Sequence, residues 1–328
     1  MISIILPTFN SLSFLKERVD SILNQTYKDW ECIVIDGEST DGTWTYLEKI
    51  AVRDMRFKMF QHPPKGVYNA WNIGVQKAAG AYVYFATSDD TMSNDCLEHL
   101  LHGFELAPEC GISHCCLQII DEYSQPLKSY DWNTFPAQEY FKNYNSRKHI
   151  RKAPLTGLLY ATHQTVIHSF TQVLISKKVF ERSGYFLEDK GPAADLEWGM
   201  RVGLTEDVIH IPREMATWRV HGKQLTAIEV DDTYTIQLIE LMRLAICNST
   251  CTSEIKSLKK DLLAWKKMSL FAKLSLYDKL VNLQFLNLKI SMRLFPDFHR
   301  AFESREAYQF YLQAKLDYNK EELIEIIK

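Results

Sequence analysis

Residues 2–36, ISIILPTFNSLSFLKERVDSILNQTYKDWECIVID, decide the fold of this 328-residue chain. The segment begins with the apolar run ISIIL (2–6) and ends with the apolar run CIVID (32–36), each of the length of a β-strand. Between them apolar residues recur at the spacing of one helical face: Leu12, Leu15, Val19, Ile22 and Leu23. Strands that are apolar throughout and joined by a helix predict a parallel sheet covered on both faces.

The same alternation of strand and helix continues beyond this segment. Further strands are predicted at 57–61, 81–87 and 112–120, with helices around 47–51, at 67–79 and around 97–104. An irregular stretch from 121 to 170 predicts loops and a small insertion. Strands then follow at 173–176 and 208–211, with helices from Lys177 and near 195–204. The pattern predicts an α/β fold with a Rossmann-like, mostly parallel sheet flanked by helices, whose ligands bind at the carboxyl ends of the strands.

The composition is that of a globular protein with a substantial core. Apolar residues make up 46% and charged residues 24% of the chain, and 38 Lys and Arg against 41 Asp and Glu leave a net charge of −3. This balance argues against nucleic-acid binding through bulk charge. The seven cysteines are scattered and odd in number, which favours a reducing compartment. The first apolar run stops at Pro7, too early for a signal peptide or a membrane span, so a cytoplasmic location is expected.

Two familiar nucleotide signatures are missing from the sequence. PTFN follows the first strand where a dinucleotide-binding protein would have G-x-G-x-x-G, and no P-loop motif occurs. Acids instead follow two strands, Asp36 after the second and Asp89 with Asp90 after the fourth. Adjacent carboxylates at a sheet edge suit a divalent cation that also binds substrate phosphates, but Ser-Asp-Asp is equally good turn and helix-cap chemistry. The spacing alone leaves both interpretations open.

Two longer blocks carry a family resemblance. The first, residues 7–43, reads PTFNSLSFLKERVDSILNQTYKDWECIVIDGESTDGT and resembles the amino-terminal signature of family 2 glycosyltransferases with the GT-A fold, of the bacterial surface-polysaccharide type. The second, residues 65–90, reads KGVYNAWNIGVQKAAGAYVYFATSDD and is similar to the family's block from G-[IV]-Y-D-A to S-D-D. The resemblance implies an inverting transfer of a sugar from a nucleotide-diphosphate donor, a UDP-sugar, to a saccharide or lipid-linked saccharide, assisted by Mn²⁺ or Mg²⁺.

The resemblance also implies which residues form the site. Those expected to bind the nucleotide are Pro7, Thr8, Asn10, Asp36, Gly66, Asn72, Ser88 and Asp90. Among them, Asp36 matches the acid that hydrogen-bonds the base, and Asp90 is expected next to the metal or the ribose. Asp89 occupies the last position of the family's D-x-D element and is the expected metal ligand, together with His221.

Three positions depart from the family pattern. Thr87 stands where many relatives carry the first acid of D-x-D, Asn69 replaces the acid of Y-D-A, and Pro64 replaces an acid before K-G. Metal binding is therefore expected to depend on fewer acids, while the fold is expected to be unaffected. Asp41, at the start of the second helix, is open to two interpretations, a ligand-binding residue or a helix-start residue.

A third block supplies the expected catalytic residue. Residues 185–202, YFLEDKGPAADLEWGMRV, resemble the segment in which the family carries its catalytic base, and Asp195 aligns with that base. Its carboxylate would take the proton of the acceptor hydroxyl as the anomeric carbon is attacked from the opposite face. A helix N-cap is the structural alternative for Asp195, and Glu197 is the next candidate for the base.

The last motif lies between residues 217 and 226. This segment, TWRVHGKQLT, resembles the family's closing Y-R-x-H element. It implies that His221 contacts the diphosphate or the metal and that Arg219 pairs with a phosphate. His163, which precedes the strand at 173–176, is expected to contact the acceptor or the donor sugar.

The chain is predicted to have two parts. Residues 1–230 are expected to form the nucleotide-sugar-binding and catalytic GT-A domain, and residues 231–328 a helical carboxy-terminal region. Within that region, residues 262–295 interleave apolar with basic residues, as amphipathic helices do. Two interpretations are open for it: peripheral attachment to the inner face of the membrane, or a helical cap that packs on the catalytic domain or on a second subunit as a homodimer.

Two other functions are weighed against a glycosyltransferase. A sugar nucleotidyltransferase also uses acids on an α/β sheet, but it would need a Gly-rich loop after the first strand, which this sequence lacks. A nucleotide-sugar-binding protein that has lost catalysis is compatible with Thr87 and Pro64. The acids Asp36, Asp89 and Asp195 together argue for an enzyme.

Overall fold

A nine-stranded sheet forms the centre of the protein, whose computed structural model describes residues 1–163, 165–222, 241, 244–245, 248–249 and 323–327. The strands are β1 (Ile2–Thr8), β2 (Trp30–Asp36), β3 (Phe57–Gln61), β4 (Tyr82–Phe85), β5 (Ile112–Ile120), β6 (His149–Arg151), β7 (Val173–Ser176), β8 (Val208–Arg219) and β9 (Ile324–Ile326). The helices are α1 (Leu12–Leu23), α2 (Thr43–Arg53), α3 (Val67–Lys77), α4 (Cys96–Leu106), α5 (Pro136–Phe141), α6 (Leu155–His163), α7 (Lys177–Ser183) and α8 (Ala194–Gly203). Short 3-10 helices lie at Trp132–Thr134, Lys142–Tyr144, Phe170–Gln172 and Gly191–Ala193.

The strand order confirms the predicted sheet. It runs β3-β2-β1-β4-β7-β5-β8-β6-β9. Strands β3, β2, β1 and β4 pair in parallel, as do β5 and β8, and only β7 and β6 run against the rest of the described strands. The seven strands predicted from the sequence are all present, although β8 continues to Arg219, eight residues beyond the predicted end.

Helices cover both faces of this sheet, as the apolar strands require. Alternate residues of β1 point into two separate cores, Ile4 into one and Ile5 into the other, and all seven residues of the strand are buried. Helices α1, α2 and α4 supply the first core, and α3, α7 and α8 supply the second. The fully buried Trp198 of α8 is among the largest side chains of the second core. Burial of such a side chain contributes about 1.5–3 kcal/mol.

The stretch from 121 to 170 is more regular than predicted. It contains α5, β6 and α6, and β6 joins the sheet by pairing antiparallel to β8. The prediction of loops was wrong here because β6 is only three residues long and reads His-Ile-Arg, which shows no apolar run. Its burial comes from the neighbouring strands rather than from its own composition.

Residues 324–326 return to the same sheet as strand β9. They pair antiparallel to β6, and the pairing is extended by the Lys152 N–H, which donates to the Leu323 carbonyl over 2.9 Å. Strand β9 thus joins the sheet that β1–β8 form, although it lies in the part of the chain predicted to be a separate helical region. The predicted amphipathic segment 262–295 lies outside the described residues. Within the part that is described, every helix is too short or too polar to cross a bilayer.

Candidate active site

The carboxyl ends of β1, β2 and β3 meet around Asp36. This side chain is fully buried. Oδ1 accepts hydrogen bonds from the hydroxyls of Thr8 (2.8 Å) and Ser39 (2.6 Å), and Oδ2 accepts from the Ser39 N–H (2.9 Å) and from Nε2 of Gln61 (3.3 Å). A carboxylate has about four acceptor positions. The base contact expected of Asp36 therefore requires one of these protein donors to move, and in this structure the residue ties three strand ends together.

Asn10 connects the loop after β1 to the loop after β2. Its φ of +48° is in the left-handed region, which Asn tolerates better than most residues. The Asn10 N–H donates to the Ser39 hydroxyl (2.9 Å), and its Oδ1 accepts from the Thr40 N–H (2.9 Å). Pro7 is buried within β1. Of the residues predicted along this first block, Asn10 is the one whose side chain is exposed at the sheet edge.

Asp41 acts at the start of two helices. One carboxylate oxygen accepts from the N–H of Leu12, the first residue of α1, and the other from the N–H of Thr43, the first residue of α2. These bonds satisfy N–H groups that a helix leaves without an internal partner. The helix-start interpretation of Asp41 therefore accounts for its position.

The two acids after β4 have different environments. Asp89 keeps 30% of its side chain exposed, and its Oδ2 lies 3.1 Å from Nε2 of His221. Asp90 is buried and accepts three hydrogen bonds, from the hydroxyls of Thr87 (2.6 Å) and Ser169 (3.0 Å) and from the Arg219 N–H (2.7 Å). Burial, and next the charge of Asp89, raise the pKa of Asp90 to about 6.

Asp90 would contact a metal or a ribose only if one of these donors moved, and that contact stays a prediction. Asp90 joins the end of β4 to the end of β8, because it accepts from the Thr87 hydroxyl, just after β4, and from the N–H of Arg219, the last residue of β8. Ser88, one residue before the pair, is partly exposed beside Asp89.

Arg219 is also structural in this geometry. Its side chain is fully buried, and its guanidinium donates to the Asp89 carbonyl (2.7 Å), to the Ser124 hydroxyl (2.9 Å) and to the carboxylate of Glu17 (2.6 Å). A phosphate would have to displace some of these partners, and the phosphate contact stays a prediction. Arg219 instead fixes the backbone of the acid that faces His221.

Asp89 and His221 lie together where the cation is expected, with Oδ2 and Nε2 3.1 Å apart. The His221 ring lies 4.8 Å from the ring of Phe14, which limits its rotation, and the ring retains 10% exposure. One carboxylate oxygen and one imidazole nitrogen suit Mn²⁺, and Mg²⁺ is commonly held by one or two carboxylates with substrate phosphates. Within the described ranges no cluster of three His, Cys, Asp or Glu side chains is arranged to hold a metal. A cation here would depend on substrate oxygens for its other positions.

Asp195 lies in the first turn of α8, and its side chain is partly exposed. The N-cap of this helix is Ala193, without a side-chain capping bond, so the N-cap alternative for Asp195 is wrong. Burial raises the pKa of Asp195 to about 6, while hydrogen bonds from the Leu196 N–H and from the Tyr68 hydroxyl act in the opposite direction. A group with this pKa is mostly ionised at neutral pH and can accept a proton.

Glu197 does not fit the role of an alternative base. Its carboxylate is fully buried and receives two hydrogen bonds of 2.9 Å from the guanidinium of Arg201. Arg201 also donates to the backbone carbonyls of Ser183 and Tyr185. The pair therefore fastens α8 to the segment after α7, and Glu197 could act as a base only if this ion pair opened.

Two predicted residues of the second motif block belong to α3. Gly66 precedes the first turn of the helix, and Asn72 lies near its middle. Gly66 is the N-cap of α3, is exposed, and has a φ of +94°, which a residue with a side chain rarely adopts. Asn72 is buried and exchanges hydrogen bonds of 3.0 Å with both the N–H and the carbonyl of Phe186, so its nucleotide contact, which stays a prediction, would require these bonds to break. His163 ends α6, and its side chain lies outside the described part of the structure.

Two contributors to the site were missed by the sequence reasoning. Tyr68 hydrogen-bonds Asp195, and Glu17 holds the guanidinium of Arg219. Tyr68 could have been found from the sequence, because it lies inside the second motif block. Glu17 had none, because it lies 202 positions from Arg219 on the polar side of a surface helix.

The sequence profile described as Glycosyl transferase family 2 matches residues 3–182 of the chain. An uncharacterized glycosyltransferase of Haemophilus influenzae is 42% identical over 103 residues, which are 31% of this chain and 41% of that protein. A putative teichuronic acid biosynthesis glycosyltransferase of Bacillus subtilis is 30% identical over 131 residues, which are 40% of this chain and 52% of that protein. The matched segments thus span about half or less of these two relatives.

Solved structures support the same fold. The first 349 residues of S. aureus TarS, in complex with UDP-GlcNAc, align with a TM-score of 0.61 and 15% identity, covering 95% of this chain and 90% of that one. A mannosyltransferase from Pyrobaculum calidifontis, in complex with GDP-Man and Mn²⁺, aligns with a TM-score of 0.53 and 17% identity, covering 95% of this chain and 78% of that one. The predicted GT-A architecture is confirmed by this likeness.

Proposed function

The chain belongs to glycosyl transferase family 2, and on this basis we propose that it moves a sugar, with inversion, from a nucleotide-diphosphate donor to a saccharide or lipid-linked saccharide. The observation that carries the proposal is the environment of Asp195. Asp195 is partly exposed as a residue, its carboxylate accepts a hydrogen bond from the Tyr68 hydroxyl, and burial raises its pKa to about 6. It is the acid of the described region whose position best suits proton transfer at neutral pH.

The proposed reaction needs one proton acceptor. The acceptor hydroxyl attacks the anomeric carbon from the face opposite the leaving nucleoside diphosphate, and the bond from that carbon to the diphosphate oxygen breaks. Asp195 takes the hydroxyl proton as this occurs. Asp195 follows the end of β7 through α7, and its partner Tyr68 lies in the first turn of α3, after the carboxyl end of β3. Since β3, β2, β1 and β4 are parallel, Tyr68 after β3 and Asp89 after β4 lie at the same sheet edge, and the bond from Tyr68 brings Asp195 to that edge.

A divalent cation would be held by Asp89 and His221, with diphosphate oxygens as further ligands. When bound, it would neutralise charge on the leaving diphosphate. The 3.1 Å separation of the two side chains supports their joint use. The solved mannosyltransferase with GDP-Man and Mn²⁺ supports a metal-assisted reaction in this fold.

The donor proposed is a UDP-sugar, in line with the UDP-GlcNAc complex of TarS. Asn10 and Ser88 border the pocket proposed for the nucleotide, since both remain exposed at the carboxyl edge of the sheet. The teichuronic acid relative supports an acceptor from surface-polysaccharide assembly. We further propose that residues 1–230, completed by strand β9, form the catalytic domain.

Two measurements test the proposal. Thermal shifts of the full chain with UDP, UDP-GlcNAc and GDP-Man, each with and without Mn²⁺, should show stabilisation by a uridine nucleotide that increases with the metal. Turnover of UDP-GlcNAc should then fall by about 10²–10⁴-fold in Asp195→Asn, since general-base catalysis is worth about that factor. The melting temperature and the donor-induced shift should remain near wild type.

A matched control is Asp189→Asn, which changes an exposed acid of the same segment that pairs with Lys190. It should turn over UDP-GlcNAc at the wild-type rate. Donor binding without any turnover in wild type would favour the nucleotide-sugar-binding protein instead. Turnover by Asp195→Asn within a few-fold of wild type would remove Asp195 as the base.

A further inference from the structure

Tyr68 is held rigidly beside Asp195 by aromatic neighbours. Its ring packs edge-on against Trp71 at a centroid distance of 5.4 Å and is stacked with Phe186 at 5.7 Å. The residue is 8% exposed. With one stacked and one edge-on aromatic contact, the ring has little freedom, and its hydroxyl donates a hydrogen bond to the Asp195 carboxylate.

Helix α3 also holds the segment that leads to α8. Asn72 bonds both backbone groups of Phe186, and its amide further donates to Glu188 (2.8 Å). The amide of Asn69 donates to the other oxygen of Glu188 over 2.7 Å. An acid at position 69 would place a second carboxylate against Glu188. The departure from the family's Y-D-A pattern therefore has a physical reason, and it keeps Phe186 stacked on Tyr68.

We propose that Tyr68 is a positioning residue, which fixes the Asp195 carboxylate in the orientation from which it takes the acceptor proton. The inference rests on the proposed role of Asp195 as the base. The other donors to this carboxylate are backbone N–H groups at the start of α8, from Asp195 itself and Leu196. Tyr68 is thus the side chain, among described residues, that reaches Asp195 from across the cleft.

Burial and the hydrogen-bond donors act in opposite directions on the pKa of Asp195: burial raises it and the donors lower it. In the described region the titratable groups that face it are Tyr68 from α3 and Tyr160 from α6. The Tyr160 hydroxyl accepts from the Ile167 N–H at 3.3 Å, and burial raises the pKa of Tyr160, so it stays neutral. Loss of the Tyr68 hydroxyl removes a donor that favours the ionised carboxylate, which should raise the pKa of Asp195.

The test compares Tyr68→Phe with Tyr160→Phe, since each removes one hydroxyl near Asp195 and keeps its ring. The carboxyl titration is followed by NMR in full-length protein with ¹³C-labelled aspartate, and the Asp195 signal is assigned from its loss in Asp195→Asn. Tyr68→Phe should move the titration midpoint upward by about one pH unit. Tyr160→Phe should leave the midpoint near wild type, although it removes the acceptor of the buried Ile167 N–H and should therefore lower the melting temperature.

Turnover of UDP-GlcNAc provides the second readout. In Tyr68→Phe the acid limb of the rate should move upward with the carboxyl titration, while the KM for the donor stays near wild type. An unchanged titration midpoint in Tyr68→Phe, or an equal shift in Tyr160→Phe, overturns the positioning role. Wild-type turnover by Asp195→Asn with a shifted midpoint in Tyr68→Phe would instead overturn the role of Asp195 as base and leave the contact established.

Discussion

The hydroxyl of Thr87 donates a 2.6 Å hydrogen bond to Oδ2 of Asp90. The position at which many relatives carry the first acid of D-x-D thus acts here as a donor to a buried acid. An acid at position 87 would face Asp90 across the same distance, and two adjacent buried carboxylates cannot both be ionised without a large cost. The sequence departure and the burial of Asp90 therefore explain each other.

Substitution of Thr87 should consequently affect stability rather than metal affinity. Thr87→Val keeps the shape of the side chain but removes the hydroxyl that donates to Oδ2 of Asp90. It should lower the free energy of unfolding by about 1–3 kcal/mol. Thr87→Asp should be less stable still, with no gain in the Mn²⁺-dependent thermal shift with UDP. Thr87→Ser keeps the donor and serves as the control. Tighter Mn²⁺-dependent binding in Thr87→Asp would show that position 87 faces the cation.

Replacement by Asn should have different effects at Asp89 and at Asp90: loss of metal-dependent binding at the first and loss of stability at the second. Asp89→Asn should abolish the increase in UDP affinity with Mn²⁺ while it changes the free energy of unfolding by less than about 0.5 kcal/mol, because Asp89 is partly exposed. Asp90→Asn should lower that free energy by about 1–3 kcal/mol, because its amide cannot accept from all three donors. Isothermal titration and urea denaturation measure the two effects. The reverse result would exchange the roles assigned to the two residues.

Glu197→Gln should destabilise the protein strongly. Removal of one partner from a buried ion pair leaves the Arg201 charge uncompensated, which typically costs about 3–5 kcal/mol. The double variant Glu197→Met with Arg201→Met should recover part of that loss, and Glu181→Gln, an exposed acid on α7, should match wild type in urea denaturation. A Glu197→Gln protein with wild-type stability but no turnover would return Glu197 to consideration as the base.

Three buried histidines make stability depend on pH. Nε2 of His210 lies 3.0 Å from the Asn145 carbonyl and must carry its proton, so Nδ1 of His210 accepts from Nδ1 of His114 at 3.0 Å. Nε2 of His149 accepts from the Arg151 guanidinium at 3.1 Å. Each ring is therefore neutral in this network. Burial, together with the Arg151 charge, lowers the pKa of all three, that of His149 to about 3.

A lowered pKa in the folded state means that the unfolded chain binds protons first. The contribution of each histidine is fully present above its unfolded pKa of about 6.5 and is lost as the pH falls below it, by about 1.4 kcal/mol between pH 7.5 and 5.5. The raised pKa values of Asp90 and Asp195, about 6, act in the opposite sense below pH 6. Urea denaturation should therefore show a smaller loss on acidification in His210→Asn than in wild type. Equal losses would mean that His210 is protonated in the folded protein.

The parts of the fold that the sequence predicted are those in which local pattern and final burial agree. Strand β1 is covered on both faces and must be apolar throughout, and Leu15 and Val19 line one face of α1, so both elements can be recognised without tertiary information. Strand β6 was not predicted, because three residues are too few to show the alternation of apolar and polar residues that marks a strand. Its burial is given by β8 and β9, which lie far away in the sequence.

The candidate site was predicted less completely, for a similar reason. An acid after a strand looks the same in sequence whether it faces the cleft, as Asp89 does, or the interior, as Asp90 does. The difference is made by donors such as Ser169, which is 79 positions from Asp90. Asp36, Glu197 and Arg219 were likewise assigned by motif position, and their burial follows from partners that no local pattern identifies.

Strand β9 is also the last strand of the described sheet to be synthesised. On a ribosome, β6 and β8 are complete about a hundred residues before Ile324 is added, which at about 5–20 residues per second is a wait of about 5–20 s. During this interval β6 lacks its partner β9, and a strand edge with unpaired N–H and carbonyl groups can pair with another extended chain. The nascent enzyme therefore passes through a period in which its sheet lacks its last strand and in which mispairing between neighbouring nascent chains competes with correct completion.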